Sequence, residues 1–264
     1  MTEPAPLPAI LDLSVENETR EVLLKHFSPS YQDRVTGYVD ALMGMAGFAN
    51  RFEYLRSVVG SEVFNPESKI LISGCGSGSE MITARQFGFG PICGVEVEEI
   101  WIKICESRLR YLPEMFASHY DGETLPYGAD EFQVLASGHV IEHTANPERY
   151  LRECMRVLAP GGYLFLEFPN RYHHIELHTH LPSFEWLPRP IRNAILVALS
   201  SKLSPLKKDV KKRYSDIVVT HLKQISVGGV NRMLKRIGGR YSILNSVRAM
   251  PGVTRCVIRK DSSA

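Results

Sequence analysis

The chain has 264 residues, 44% of them hydrophobic and 23% charged, with a formal net charge of +2. Such a chain buries one large core with room for appendages and reads as a soluble globular protein. Its near-neutral charge gives no global pull toward nucleic acid. Residues 1–20 hold acids and prolines without a basic segment ahead of an apolar one, unlike a secretory signal. The apolar run 194–199 falls far short of the roughly 20 residues that span a bilayer. A cytoplasmic protein is expected. Cys75, Cys93, Cys105, Cys154 and Cys256 are scattered and form no CxxC pair. They read as reduced, buried thiols rather than a disulfide framework or a zinc site.

In chain order, residues 1–60 have helical character, with Tyr38, Leu42, Met45 and Phe48 on related faces, and are expected to form a cap. Residues 61–170 then alternate strand and helix signals. A β-branched run at 69–73 leads to a helix over 77–88, a strand over 91–97 and a helix over 98–111 spaced by Ile100, Ile104 and Leu109. Strands are predicted at 115–120, 132–137 and 163–168. Between the last two lies a helix over 147–158, opened by Pro147 and stopped by Pro160-Gly161-Gly162. An insertion, 171–225, separates this core from its last part, 226–264, which is predicted as a helix over 227–237 and strands over 241–247 and 253–258. The alternation implies an α/β fold, a doubly wound Rossmann-like sheet of seven strands, with ligands at the carboxyl ends of its strands.

The stretch KILISGCGSGSE, 69–80, runs from strand into glycine turn. A dinucleotide fingerprint would place a third glycine where Ser79 stands, and a P-loop needs a lysine that this turn lacks. Ser77-x-x-Glu80 instead suggests a capping box, with a carboxylate that repels pyrophosphate and suits a cofactor carrying positive charge. Glu96 ends the second strand about 20 residues further on, the placement from which a carboxylate takes both hydroxyls of a ribose. The ligand therefore contains a nucleoside.

At this point the chain resembles the class I S-adenosylmethionine-dependent methyltransferases, in the small-molecule branch related to quinone-biosynthesis enzymes. The resemblance rests, in order, on ILISGCGSG (70–78), GVEVEE (94–99), YDGETLPYGADEF (120–132), SGHVIEH (137–143) and RVLAPGGYLFLEFPN (156–170). It implies S-adenosylmethionine as cofactor, with Gly74, Gly76 and Gly78 around its methionine end and Ser73 and Ser137 also among its binding residues. Glu96 would hold the ribose, and Asp121 and Gly122 the adenine. His139, Glu142 and His143 would follow the fourth strand near the reactive methyl. Two positions depart from the pattern: Ser73 stands where the family ends its first strand with an acid, and Gln133 replaces an aspartate.

The implied reaction is methyl transfer to a small-molecule acceptor, most readily a hydroxyl oxygen, with His139, His143, His178 or His221 as candidate general base. The stretch RYHHIELHTHLPSFEWLPRP, 171–190, follows the fifth strand. If extended, it places His174, Glu176, His178 and His180 on one face as acceptor contacts. Their spacing matches neither HExxH nor HxxEH, so no metal is expected. Ile191, Ile195, Leu199 and Leu203 then fall at helical spacing before Lys207, Lys208, Lys211, Lys212 and Arg213. This reads as a lid helix with a basic end, suited to transient contact with a membrane surface or an anionic acceptor.

Overall fold

The computed structural model describes residues 12–31, 35–170, 187–201, 223, 225–250 and 252–262. Three helices, α1 (Leu13–Tyr31), α2 (Val35–Met43) and α3 (Ala46–Val59), precede β1 (Ile70–Ser73). Then come α4 (Ser79–Gln86), β2 (Ile92–Glu96), α5 (Glu99–Leu109), β3 (Met115–His119), β4 (Phe132–Gly138), α6 (Pro147–Val157) and β5 (Leu158–Pro169). The chain continues with α7 (Arg189–Ser200), α8 (Val227–Ile237), β6 (Tyr241–Met250) and β7 (Val253–Lys260). The seven strands form one sheet in the order β3-β2-β1-β4-β5-β7-β6. β1 to β5 are mutually parallel, whereas β7 runs antiparallel to β5 and β6 antiparallel to β7. This is the doubly wound sheet that the alternation predicts. The strand order reverses between β1 and β4, which opens a crevice at their carboxyl ends.

Side-chain alternation divides the core between two faces. Leu71, Leu135, Leu164 and Leu166 meet Leu151 and Cys154 of α6 and Val230 and Leu234 of α8. Ile70, Ile72, Val134, Ala136 and Phe165 meet Phe52 and Leu55 of α3, Met81 and Ile82 of α4, and Cys105 of α5. All five cysteines are buried free thiols, as their scatter suggests. In α7, Leu196 is buried while Ile191 and Val197 are exposed. Among the described residues no helix is long and apolar enough to cross a membrane.

Two local expectations are corrected. The residue before α4 is Gly78 in a left-handed conformation (φ 83°), and no side chain caps the helix. Ser77 lies one residue too early to cap. The hydroxyls of Ser77 and Ser79 instead donate to the Leu42 carbonyl at 2.9 and 2.7 Å. Glu80 turns toward Arg51. The Pro160-Gly161-Gly162 stop is a bulge inside β5: pairing steps from Phe132↔Leu158 to Val134↔Tyr163, so β5 gains extra residues over β4. Gly161 is left-handed (φ 82°), and a Cβ on Gly162 would lie 2.8 Å from the Ala159 carbonyl and 3.0 Å from that of Gln133. Only glycine passes there.

The N-terminal helices are fastened behind the glycine turn by one buried cation. Arg108 of α5 pairs with Glu16 of α1 through two bonds of 2.7 and 2.9 Å. Its remaining donors reach the Ser79 hydroxyl at 2.7 Å, the Ser77 carbonyl at 3.1 Å and the Met43 carbonyl at 3.3 Å. Arg108 therefore joins the placement of the cap to the shape of the turn, beside the Ser77 and Ser79 bonds to Leu42, and its planar fork suits several acceptors at once.

Candidate active site

The glycine turn lies at the carboxyl end of β1. Gly74, Gly76 and Gly78 all have positive φ, of 76°, 49° and 83°. A Cβ on Gly74 would sit 2.5 Å from the Val140 side chain, whereas one on Gly76 would enter open space. The turn thus leaves a bare main-chain surface toward the crevice. It is tied to the end of β2, because Glu96 Oε2 accepts from the Gly76 N–H at 3.3 Å and Oε1 from the Val97 N–H at 2.8 Å. Burial raises the Glu96 pKa above the ordinary value, and these bonds oppose the rise. A carboxylate offers about four lone-pair sites, so two backbone bonds leave capacity for a diol.

The loop after β3 is shaped by Asp121. Its Oδ1 accepts from the Glu123 and Thr124 N–H groups, both at 2.8 Å, and the bonds from Thr124 and then Glu123 lower its pKa. Asp121 is thus a turn former, and Gly122 beside it is left-handed (φ 79°) with the exposed Val97 side chain close by. Ser73 and Ser137 are buried at adjacent strand ends. The Tyr150 hydroxyl donates to Ser73 at 2.8 Å and lies 2.7 Å from the Ser137 hydroxyl. Burial keeps this phenol protonated, its pKa well above the usual value. Both serine hydroxyls are therefore bonded to this one phenol.

Beside the turn is a charged cluster that motif reading missed. Arg51 of α3 donates from Nε to Glu167 Oε1 at 2.8 Å and from Nη1 to Glu80 Oε2 at 3.0 Å. Its Nη2 lies 2.6 Å from Glu167. Arg255 of β7 donates to Glu167 Oε2 at 2.7 Å. Glu167 lies near the carboxyl end of β5, and it is buried. Burial pushes its pKa up, but the bonds from His139, Arg51 and Arg255 outweigh that and hold it at about 2. Glu80 is also buried and goes the other way, its pKa raised by burial against the pull of Arg51. The sequence held one signal, since YLFLEF sets an acid within an otherwise apolar central strand. An acid there needs a buried partner.

His139 follows β4 in a left-handed conformation (φ 57°). Its Nε2 lies 3.3 Å from Glu167 and its Nδ1 3.4 Å from Glu142. Burial lowers its pKa, yet the two carboxylates reverse the effect and raise it to about 9. At neutral pH His139 is an imidazolium with no lone pair for a substrate proton. Both of its ring nitrogens thus face carboxylates. Glu142 is buried, and neither carboxylate oxygen accepts a hydrogen bond among the described residues. His143 Nε2 lies 4.0 Å from Glu142, and the His143 side chain is 46% exposed. Of the two candidate histidines that are described, His143 has the more exposed side chain, 46% against 37% for His139. His178 and His221, with His174, Glu176 and His180, lie outside the described residues. Among the described residues no cluster of metal-ligating side chains occurs.

Residues 71–166 match a family described as a methyltransferase domain. The chain is 30% identical over 105 residues to a ubiquinone biosynthesis O-methyltransferase of Caulobacter sp. (strain K31), a match that covers 39% of this chain and 41% of that protein. It is 32% identical over 143 residues to a tRNA U34 carboxymethyltransferase of Stutzerimonas stutzeri, over 48% of this chain and 44% of the relative. The chain thus spans less than half the length of both. Among solved structures it resembles an S-adenosylmethionine dependent methyltransferase from Mesorhizobium loti, at 16% identity and a TM-score of 0.57, over 82% of this chain and all of the other. At that identity the likeness is one of fold.

Proposed function

From a chain that carries a class I S-adenosylmethionine-dependent methyltransferase domain, we propose an enzyme that transfers the cofactor's methyl group to a small-molecule acceptor, at a hydroxyl oxygen. The observation that carries this reading is the join between glycine turn and ribose acid, Gly76 N–H to Glu96, at the crevice where the strand order reverses. The bare turn and the carboxylate with lone pairs to spare fit a nucleoside bearing an amino-acid tail. The name of the Caulobacter relative supports oxygen as the acceptor atom and a branch related to quinone biosynthesis.

When bound, S-adenosylmethionine supplies an electrophilic methyl on a sulfonium. The protein's own task is to hold a nucleophile in line with it, and such positioning supplies on the order of 7–11 kcal/mol of the barrier. Gly74, Gly76 and Gly78 offer main chain to the tail, Glu96 takes the ribose hydroxyls, and the loop of Asp121 and Gly122 lies against the base. His143, His178 or His221 takes the acceptor's proton. The lid assigned to residues 171–225, with His174, Glu176, His178 and His180 as acceptor contacts, remains part of this proposal, and apart from α7, Leu187, Pro188, Ser201, Lys223 and Ile225 it lies outside the described residues. Residues 1–60 close the site from the other side. The exposed Ile191 and Val197 of α7, with the basic residues after it, suit passing contact with a membrane surface or an anionic acceptor.

Calorimetry tests the reading. S-adenosylhomocysteine is expected to bind and NAD is not. Glu96→Ala removes a charged acceptor whose bonds are worth about 1.5–3 kcal/mol, so affinity for S-adenosylhomocysteine should fall about 10- to 100-fold. The fold should survive, because the carboxylate end of β2 supports no apolar core. An unchanged dissociation constant in folded Glu96→Ala protein would remove the ribose assignment. Preference for NAD would replace methyl transfer with a nicotinamide chemistry.

A further inference from the structure

A cavity of about 620 Å³ lies at the end of the sheet opposite the crevice. Pro169, at the carboxyl end of β5, pairs with Val253 at the start of β7, and Tyr163 pairs with Arg259 near the end of β7. Lys260 then pairs with Tyr241, the first residue of β6. The cavity is bordered by Lys260 and by the turn that leads into β6, so it sits at the amino edge of the parallel strands, away from the glycine turn. Its walls come from the second half of α6, from residues 237–240 and from residues 260–262. Its volume falls within the roughly 300–1,000 Å³ of small-molecule sites.

Four of the lining residues are cations, and two of these are already engaged. Arg156 is held by Glu153 at 2.9 and 2.7 Å and by the Tyr127 and Leu125 carbonyls. Lys260 donates to Asp130 at 2.6 Å and to the Met155 and Leu158 carbonyls at 2.8 and 2.6 Å, which offsets the negative end of α6. Arg152 and Arg240 are not so held. Arg152 lies 3.9 Å from Glu148, an acid that Arg236 binds at 2.8 Å. The Arg240 side chain is exposed and has no hydrogen bond or ion pair among the described residues. The acid in the lining, Asp261, accepts from the Ser242 hydroxyl at 3.0 and 3.2 Å. Met155 and Ile237 add an apolar floor continuous with the core. Gly238 has φ 81° and ψ −179°, a conformation that glycine alone adopts readily. A Cβ on Gly238 or Gly239 would enter open space, so the main chain stands bare there.

We propose that this cavity binds the diphosphate group of a small soluble ester, with Arg152 and Arg240 each taking one phosphate and Met155 and Ile237 lying under the organic part. An anion is the fitting occupant because two guanidinium groups without a close acid border one space. The planar fork of each matches a pair of phosphate oxygens. Two forks from separate elements call for two adjacent anionic groups, and a diphosphate carries them in one short unit. The site is remote from the crevice and does not depend on the methyl-donor reading.

Uridine diphosphate is the probe, because it carries the diphosphate without the adenosine that the crevice is read to hold. Calorimetry at low salt, where such contacts are least screened, should show it binding to the wild-type protein, with no binding of uridine. Malonate, with two carboxylates in place of two phosphates, should bind at least 10-fold more weakly. Replacing both arginines, Arg152→Gln and Arg240→Gln, should weaken uridine diphosphate about 10-fold or more while the urea midpoint stays at the wild-type value. No binding by the wild-type protein, or undiminished binding by the double variant, would overturn the site. A double variant with a lowered urea midpoint would overturn it too, since the arginines would then be supports of the fold. Equal affinity for malonate would overturn the diphosphate. Sedimentation with phosphatidic acid vesicles in the absence of any uptake of uridine diphosphate would replace the soluble ester with a lipid headgroup.

Discussion

Arg51→Met should lower the free energy of unfolding by about 3–5 kcal/mol, because removing one member of a buried ionic group leaves the others uncompensated. Arg51 faces Glu167 and Glu80, both buried. Arg255 still reaches Glu167, but Glu80 would lose its hydrogen-bonded cation and keep only the weaker pull of His139. Urea unfolding checks this: the midpoint should drop with an unchanged slope. A loss under about 1 kcal/mol would mean that the site admits water readily.

The same cluster sets the pH range of stability. Glu167 is depressed from an ordinary 4.5 to about 2, so its contribution is present above 4.5 and is lost as pH falls toward and through 2. His139 is raised from 6.5 to about 9; its contribution is complete below 6.5 and is lost as pH rises through 9. Glu80, raised by burial, costs stability as pH rises above its ordinary pKa, and that cost persists at higher pH. Stability should therefore form a plateau near pH 5 to 6.5 and decline on both sides. Arg51→Met should flatten the acid limb, since it takes away one cause of the Glu167 depression. An unfolding free energy that continues to climb from pH 7 to 9 would refute the imidazolium assigned to His139.

His143→Ala is the second large effect. A positioned general base contributes roughly 10²–10⁴-fold to turnover, and His143 is the described candidate with an exposed ring and a carboxylate, Glu142, at 4.0 Å. Turnover should fall by that factor while S-adenosylhomocysteine affinity stays within about 2-fold, the pattern of an interaction made in the transition state. His139→Gln should show the opposite division, a loss of stability at neutral pH with less change in the chemical step. If His143→Ala kept turnover within a few-fold of wild type, the base would be His178 or His221, or the reaction would run on positioning alone.

The parts of the site that were legible from the chain are those built from neighbours. The apolar run of β1 and the glycines at 74, 76 and 78 carry their meaning within ten residues, since a strand end and a left-handed turn are set by local sterics. Glu96 was legible for the same reason: a helix and a strand of ordinary length separate it from the turn and return it to the adjacent sheet position. The parallel part of the sheet, β1 to β5, followed from alternation, because parallel strands need crossovers and crossovers of this length are helices. Asn146 and Pro147 fixed the start of α6, where the Asn146 side chain accepts from the Glu148 and Arg149 N–H groups.

The charged cluster was not legible, and the reason is distance along the chain. Arg51 meets Glu80 across 29 residues and Glu167 across 116. No spacing rule links residues that only the order of strands in a sheet brings together. The same contacts decided roles that residue type left open. The turn glycine Gly78 took the position before α4 and sent Glu80 to Arg51 instead of to a cap. Tyr150, on a helix, reached both strand ends and claimed the hydroxyls of Ser73 and Ser137. His139 was paired with two acids, one three residues away and one on the next strand. Residue type and local spacing determined that this chain makes a cradle for a nucleoside; long-range packing, which sets the charge and hydrogen-bond partners of each group, decided which of its residues are free to act there.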